Sequence, residues 1–187
     1  LKRTVRALVL HPEFLTAWAQ KVKRPFEIAA GALRAVGPTH MPFIYDNPDT
    51  NRFFWTYDDC GQDLFRWRAP DGFPDTKDAW TSTTPRAMTW RLCAAMVDWE
   101  NGSGSHLLRI PESTPSHIRS ATGMADYWIQ RVLSRSMPSA ERQAVIDFMA
   151  AGFNPDLDLP VDSDPDTADR LRAMVALILM SPSFLWR

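Results

Sequence analysis

Prolines divide this chain into short segments, most of which carry the apolar spacing of an α-helix. The sequence contains 15 prolines among its 187 residues. A proline is tolerated in the first turn of a helix but disfavours helical backbone just before it, so prolines mark where helices can begin. Segment 25–36 opens on Pro25, repeats apolar residues every three or four positions and stops at Gly37-Pro38. The pattern predicts many short helices rather than a sheet.

The same spacing continues over most of the sequence. We expect helices at about 1–10, 12–20, 25–36, 50–60, 84–99, 121–135, 138–151 and 166–180. In the fifth of these, Thr84 is expected to cap the helix and Pro85 to be its first residue. Segment 50–60 is rich in aromatic residues, so a strand is an alternative there. The predicted fold class is all-α: an irregular multi-helix bundle, one domain over residues 1–187, with long proline-rich connecting loops and few or no strands.

Two segments share a helix–proline corner. They are LVLHPEFL at 8–15 and LILMSPSFL at 177–185. In both we expect the proline to end one helix and start the next, with the following phenylalanine folded back on the apolar helix end. No fixed period links the two segments, so they do not indicate a repeat protein.

Composition limits the classes of function. Hydrophobic residues make up 45% of the chain and charged residues 23%, which is enough to bury a core. A net charge of −1 without a basic stripe argues against a nucleic-acid partner. The longest apolar run, 174–180, is too short to span a bilayer, so no transmembrane segment is predicted. The two cysteines, Cys60 and Cys93, are best interpreted as separate thiols, with a disulfide as the alternative.

The first ten residues, LKRTVRALVL, are interpreted as a helix rather than a signal peptide, because the apolar stretch is short and no cleavage site follows. We therefore expect the chain to be the C-terminal portion of a longer protein. The apolar faces of segments 25–36 and 166–180 are expected to contact the missing N-terminal portion or a partner chain.

The segment RAPDGFPDTKDAW, residues 68–80, is the strongest candidate for a site. Carboxylates and tryptophans in and near it are candidate ligand-binding residues: Trp55, Asp58, Asp59, Trp67, Asp71, Asp75 and Trp80. Such groups can stack on sugar rings, flank a glycosidic bond or bind Ca²⁺. The alternative is a structural corner, with a turn at Asp71-Gly72, a cap at Asp75 or Thr76, and Trp80 carried into the core. We favour the corner, with its rim available to a ligand.

Two charged segments are weaker candidates. Lys23 and Arg24 precede Pro25 and are candidate anion-binding residues, although such cations more often pair with neighbouring acids. In segment 154–170 the alternating aspartates resemble the start of an EF-hand, but glycine and glutamate are missing where that loop needs them. We expect a solvated loop whose acids favour the next helix N-terminus. No cofactor and no metal ligand set is predicted, and Ca²⁺ remains only an alternative.

Four segments occur in a fixed order: HPEF at 11–14, KVKRPFEIAAGALRAVG at 21–37, GQDLFRWRAPDGFPDTKDAW at 61–80 and LILMSPSFLWR at 177–187. With them the chain resembles the C-terminal part of the bacterial DUF1800 family of unknown function. The resemblance implies an exported protein, periplasmic or extracellular, with a further N-terminal portion and a sulfatase-like partner protein. It assigns no catalytic residue.

Two functions fit these features. The first is a non-catalytic binding or assembly module that acts with a partner protein at the cell surface or in the periplasm, with carbohydrate as a further ligand class. The alternative is a hydrolase of polysaccharide or ester that uses carboxylates of the 58–78 region, one of them with a raised pKa.

Overall fold

The computed structural model describes residues 1–17, 19–37, 48–67, 69–100 and 106–187, without the side chains of residues 15 and 48–50. It is 61% helical. The described residues form eleven helices and no strand. The predicted all-α fold is confirmed.

The helices are short and follow one another closely. In chain order they are α1 (Lys2–Val9), α2 (Pro12–Thr16), α3 (Pro25–Val36), α4 (Pro48–Asp58), α5 (Lys77–Thr81), α6 (Thr83–Asp98), α7 (Ile110–Ser113), α8 (Ala121–Leu133), α9 (Ser139–Ala150), α10 (Pro165–Met180) and α11 (Pro182–Leu185). The aromatic segment is therefore helical up to Asp58, in α4, rather than a strand. None of these helices, over the residues that the structure describes, is long and apolar enough to cross a membrane.

The start of α6 differs from the prediction. Ser82 is the N-cap residue and Thr83 begins the helix, so the predicted cap at Thr84 is wrong. Pro85 is the third helical residue instead of the first. A proline is accommodated there because the first four N–H groups of a helix have no partner within the helix. Proline therefore indicated the first turn correctly, but not the first residue.

Helix α10 is at the centre of the core. It contacts α6, α7, α8, α9 and α11. Leu171, Met174 and Ile178 are fully buried, while Leu177 is partly exposed. A helix that is apolar around most of its circumference is stable only when other helices surround it. Most of the large buried side chains of α6, α8 and α9 belong to the same hydrophobic cluster.

The apolar faces of α3 and α10 are covered within the chain itself. In α3 the buried residues include Ile28, Ala29, Ala32 and Val36, and the helix contacts α6 and α8. The expectation that these two faces meet another chain is therefore wrong. Helical spacing shows that a face must be buried, but it does not show which element covers it.

Helix α1 is the element whose apolar face stays exposed. None of its residues is buried. Val5, Leu8 and Val9 are 50%, 63% and 47% exposed. At 100° per residue Val5 and Leu8 lie on one side of the helix and Arg3 and Arg6 on the opposite side, while Lys2 and Val9, seven residues apart, lie at the boundary between the two sides. Segment 1–10 is thus strongly amphipathic, yet it contributes nothing to the core.

The two helix–proline corners share backbone geometry but not packing. His11 and Ser181 are the N-caps of α2 and α11, and Pro12 and Pro182 follow them as first helical residues. Phe184 is 2% exposed, as predicted, whereas Phe14 is 57% exposed. The prediction for Phe14 is wrong, because none of the residues that the structure describes covers this phenylalanine as Phe184 is covered.

Candidate functional site

The segment 67–80 is held together as a corner by its own side chains. Trp67 Nε1 donates a hydrogen bond to Asp71 Oδ1 at 3.1 Å, and Trp80 Nε1 donates to the carbonyl oxygen of Pro74 at 2.8 Å. Gly72 has φ of 73°, a left-handed value that favours glycine. These contacts reverse the chain and bring Trp80 to a buried position, 7% exposed, in α5.

Three aromatic rings pack against one another in this corner. The centroid of Phe73 lies 4.6 Å from that of Trp67 and 6.3 Å from that of Trp80. Trp80 is buried, whereas Trp67 remains 42% exposed. The corner therefore has an inner end in the core and an outer end at the surface, as the sequence predicts.

The sequence predicts Asp75 or Thr76 as the N-cap of α5, and the structure confirms the cap position at Thr76 but not a capping hydrogen bond. Thr76 is the N-cap residue of α5 by position, but its side chain makes no capping hydrogen bond. Asp75 instead forms an ion pair with Lys21, whose Nζ lies 2.6 Å from the carboxylate. The hydrogen bond from Lys21 lowers the pKa of Asp75 below its ordinary value. The carboxylate thus links the corner to a segment 54 residues earlier in the chain.

The remaining candidates lie in helix α4 or directly after it. Trp55, Asp58 and Asp59 are spaced three and four residues apart, so they share one side of the chain near the helix end. Trp55 is 68% exposed. Asp59 Oδ2 lies 3.4 Å from a guanidinium nitrogen of Arg91. Burial, and then the charge of Asp63, raise the pKa of Asp58 above its ordinary value.

The contacts of the candidate carboxylates do not join them into one cluster. Among the described residues, no hydrogen bond or ion pair joins Asp58 or Asp59 to Asp71 or Asp75. Asp71 and Asp75 are each engaged by a neighbouring side chain within the fold. In the described part of the chain, no group of three or more His, Cys, Asp or Glu residues is arranged to hold a metal ion.

The acidic segment 154–170 acts as the sequence predicts at its helical end. Asp164 is the N-cap of α10 and accepts a hydrogen bond from the backbone N–H of Thr167 at 3.2 Å. The hydrogen bond from the Thr167 hydroxyl lowers the pKa of Asp164. Asp162 forms a bidentate ion pair with Arg119, at 2.8 and 3.0 Å. These carboxylates stabilise the loop and the start of α10.

The cationic candidates Lys23 and Arg24 lie against the last residues of the chain. The backbone N–H of Lys21 donates to Arg187 O at 3.1 Å, and that of Arg187 donates to Lys21 O at 2.8 Å. The backbone N–H of Lys23 donates to Leu185 O at 2.8 Å. These bonds join segment 21–23 to the end of α11.

Arg24 has mainly a structural role at the start of α3. It is the N-cap residue, and its backbone N–H donates to Glu27 Oε2 at 2.8 Å. Arg187 also contacts Glu27, at 2.7 Å from Oε1. Glu27 therefore contacts two cations of this region, Arg187 and Arg24. The guanidinium Nε of Arg24 lies 3.9 Å from the Glu27 carboxylate.

Lys23 differs from its neighbours. Its Nζ lies 3.7 Å from the ring centroid of Phe184, a cation–π distance. Burial, followed by the charge of Arg135, lowers the pKa of Lys23 to about 8. Sequence reasoning missed Arg135 and Phe184 as neighbours, because they are more than a hundred residues away in the chain and carry no local motif.

A family model described as "Protein of unknown function (DUF1800)" matches residues 1–186. No curated protein and no solved structure gave a match. Because the family match covers nearly the whole sequence, the chain belongs to the DUF1800 family.

Proposed function

We propose that this chain is a non-catalytic binding or assembly module of an exported bacterial protein, and that it acts with a partner protein through α1. The observation that carries the proposal is the exposed apolar side of α1, which has no buried residue. Side chains with such spacing normally face a covering element. A contiguous apolar surface of this kind marks an interaction site.

The charge of α1 indicates what kind of surface covers it. Lys2, Arg3 and Arg6 are its charged side chains, and no acidic residue precedes Glu13. A partner surface with an apolar groove bordered by carboxylates complements both sides of the helix. We propose an acidic protein surface of this type, such as a sulfatase-like partner protein encoded by the same bacterium.

The state of the candidate carboxylates supports a structural rather than a catalytic role. Asp71 is bonded to Trp67, Asp75 to Lys21, and Asp59 lies next to Arg91. A general acid and base pair must converge on one bond of the substrate. The contacts of these residues instead hold the corner and α4 in place.

The test measures the affinity of the full-length protein for its purified sulfatase-like partner by calorimetry. The variant Val5→Asp/Leu8→Asp places two charges on the apolar side of α1. We expect the dissociation constant to rise at least about tenfold, because two half-exposed aliphatic side chains no longer bury their remaining surface. The matched control is Phe153→Asp, at another exposed apolar position.

Two results would contradict the proposal. In one, Val5→Asp/Leu8→Asp binds the partner as tightly as the wild type. In the other, the variant lowers the melting temperature of the full-length protein without partner, which would show that α1 packs inside that protein. In both cases Phe153→Asp serves to separate an effect of α1 from a general effect of surface charge.

The alternative function is hydrolysis of a polysaccharide or an ester at the α4 surface. A specific observation favours it: Asp58 has a raised pKa, and Trp55 is exposed on the same side. A raised carboxyl pKa is typical of a general acid, and an exposed aromatic ring can stack on a sugar ring. The test compares Asp58→Asn with Asp98→Asn, an exposed control, for release of reducing sugar and cleavage of aryl esters. Equal rates in both variants would exclude this role for Asp58.

A further inference from the structure

Lys23 lies where the end of the chain pairs with the segment before α3. The backbone N–H of Lys23 donates to Leu185 O at 2.8 Å, and Val22 forms an antiparallel bridge with Trp186. In an antiparallel pairing, side chains two residues apart lie on the same side. Lys23 and Arg187 are therefore diagonal neighbours on one side of this pairing. A second positive charge is thus built in next to Lys23.

The ammonium group of Lys23 has an aromatic ring as its neighbour instead of a carboxylate. Its Nζ lies 3.7 Å from the ring centroid of Phe184, which is 2% exposed. Among the residues that the structure describes, no hydrogen bond or ion pair joins this nitrogen to an acceptor. Glu27, the carboxylate whose charge acts on Lys23, is already in contact with Arg187 at 2.7 Å. Lys23 is therefore a half-buried cation without a counter-ion of its own.

Burial and nearby charge both favour the neutral amine of Lys23. Burial is the largest cause, followed by the charge of Arg135, and the pKa of Lys23 is lowered to about 8. Arg187 adds to this effect, whereas Glu27 opposes it. The cation–π contact with Phe184 favours the ammonium form and so limits the change. At neutral pH the uncharged fraction is about 300-fold larger than at the ordinary lysine pKa of 10.5, because each pKa unit is tenfold.

These surroundings also select the kind of reaction that suits the amine. A lysine becomes a nucleophile when it is desolvated beside another cation, and Lys23 remains partly exposed to small reagents. The positive charges that disfavour its ammonium form stabilise a negative group in the same place. An aldehyde would give an imine and an acyl donor an amide, neither of which is anionic. Carbon dioxide is a small electrophile that turns an amine into an anion.

We propose that Lys23 is a modification site that reacts reversibly with carbon dioxide to form a carbamate. The lone pair of the neutral Nζ attacks the carbon of carbon dioxide, one C=O electron pair moves to oxygen, and Nζ releases a proton to water. The side chain changes from a cation to an anion, which the charges of Arg135 and Arg187 stabilise. Arg135 is itself engaged, because it donates to the Ser183 carbonyl oxygen and interacts with the charge of Glu141. Its effect on the carbamate is that of a nearby positive charge.

The test is detection of the carbamate in the full protein, equilibrated at neutral pH with isotope-labelled bicarbonate and carbon dioxide. Carbon NMR distinguishes the carbamate carbon from those of bicarbonate and dissolved carbon dioxide. Triethyloxonium ion then converts the carbamate into a stable ethyl ester, which peptide mass spectrometry locates. This mapping also separates lysine carbamates from one on the α-amino group. We expect the label on Lys23 to exceed that on each of the other lysines at least about tenfold, these being Lys2, Lys21 and Lys77.

Two matched variants test the assignment, because both keep the positive charge. Lys23→Arg should abolish the label of the wild type, whereas Lys77→Arg, at an exposed lysine of α5, should leave it unchanged. At constant pressure of carbon dioxide, the label should fall as the pH is lowered, because protonation removes the attacking lone pair.

Thermal unfolding of each variant shows whether the fold is intact, and the mapping in the wild type requires no variant. The proposal fails if the wild type gives no carbamate signal, if Lys23 carries no more label than Lys77, or if folded Lys23→Arg keeps the signal.

Discussion

Removal of the Trp80 side chain should destabilise the fold through loss of the buried end of the corner. Trp80 is 7% exposed and sits in α5, which packs on α6. Its indole N–H also donates a hydrogen bond to the Pro74 carbonyl oxygen at 2.8 Å. Replacement of a buried aromatic residue by alanine costs about 3–5 kcal/mol. We expect Trp80→Ala to cost about 3 kcal/mol, at the lower end, because α5 has only five residues and can relax into the space.

The contributions of the Trp80 hydrogen bond and of its buried ring to the free energy of unfolding can be measured separately. Trp80→Phe keeps an aromatic ring in the core but removes the N–H donor to Pro74. The Pro74 residue is exposed, so its carbonyl can bind water instead, and the loss should be about 1 kcal/mol. Most of the effect of Trp80→Ala should therefore come from lost burial rather than from the lost hydrogen bond.

Urea unfolding followed by far-ultraviolet circular dichroism measures these differences, with the m-value checked for each variant. Trp55→Ala is the matched control: it makes the same substitution at a residue that is 68% exposed, and should change the free energy of unfolding by no more than about 0.5 kcal/mol. If Trp80→Ala costs less than about 1 kcal/mol, or no more than Trp55→Ala does, the structural role assigned to the corner is wrong.

Two further predictions concern titratable groups. Burial raises the pKa of both Cys60 and Cys93 to about 12. Neither thiol should therefore react with a disulfide reagent at pH 8 until urea unfolds the chain. Rapid labelling of the native protein would contradict this prediction. Lys21 lowers the pKa of Asp75, so the stability that this ion pair adds is present above the ordinary carboxyl pKa and is lost as the pH falls through the lowered value. Carboxyl NMR titration should show the ordinary pKa of Asp75 restored in Lys21→Met. An unchanged pKa in this variant would refute the ion pair.

The sequence by itself determined the features that depend on neighbouring residues. Proline has a restricted φ and lacks an N–H group, so Pro12, Pro25 and Pro182 marked the first residue of three helices correctly. The spacing of apolar residues gave the all-α class, and Asp71-Gly72 gave the turn before Trp80. In each case the physical cause lies within one or two helical turns of the residue concerned.

Only the tertiary structure decided which distant groups meet. Asp75 or Thr76 was expected to cap α5. Thr76 lies at the cap position, whereas Asp75 pairs with Lys21, 54 residues away. The apolar faces of α3 and α10 are buried inside the chain, whereas that of α1 is exposed, although all three have helical spacing. Amphipathic spacing indicates that a helix face is to be buried, but it does not indicate which element buries it. An ion pair depends on the distance between two side chains in the folded chain. Both depend on how the helices pack, so neither the Asp75–Lys21 pair nor the cluster around Lys23 could be found from local sequence alone.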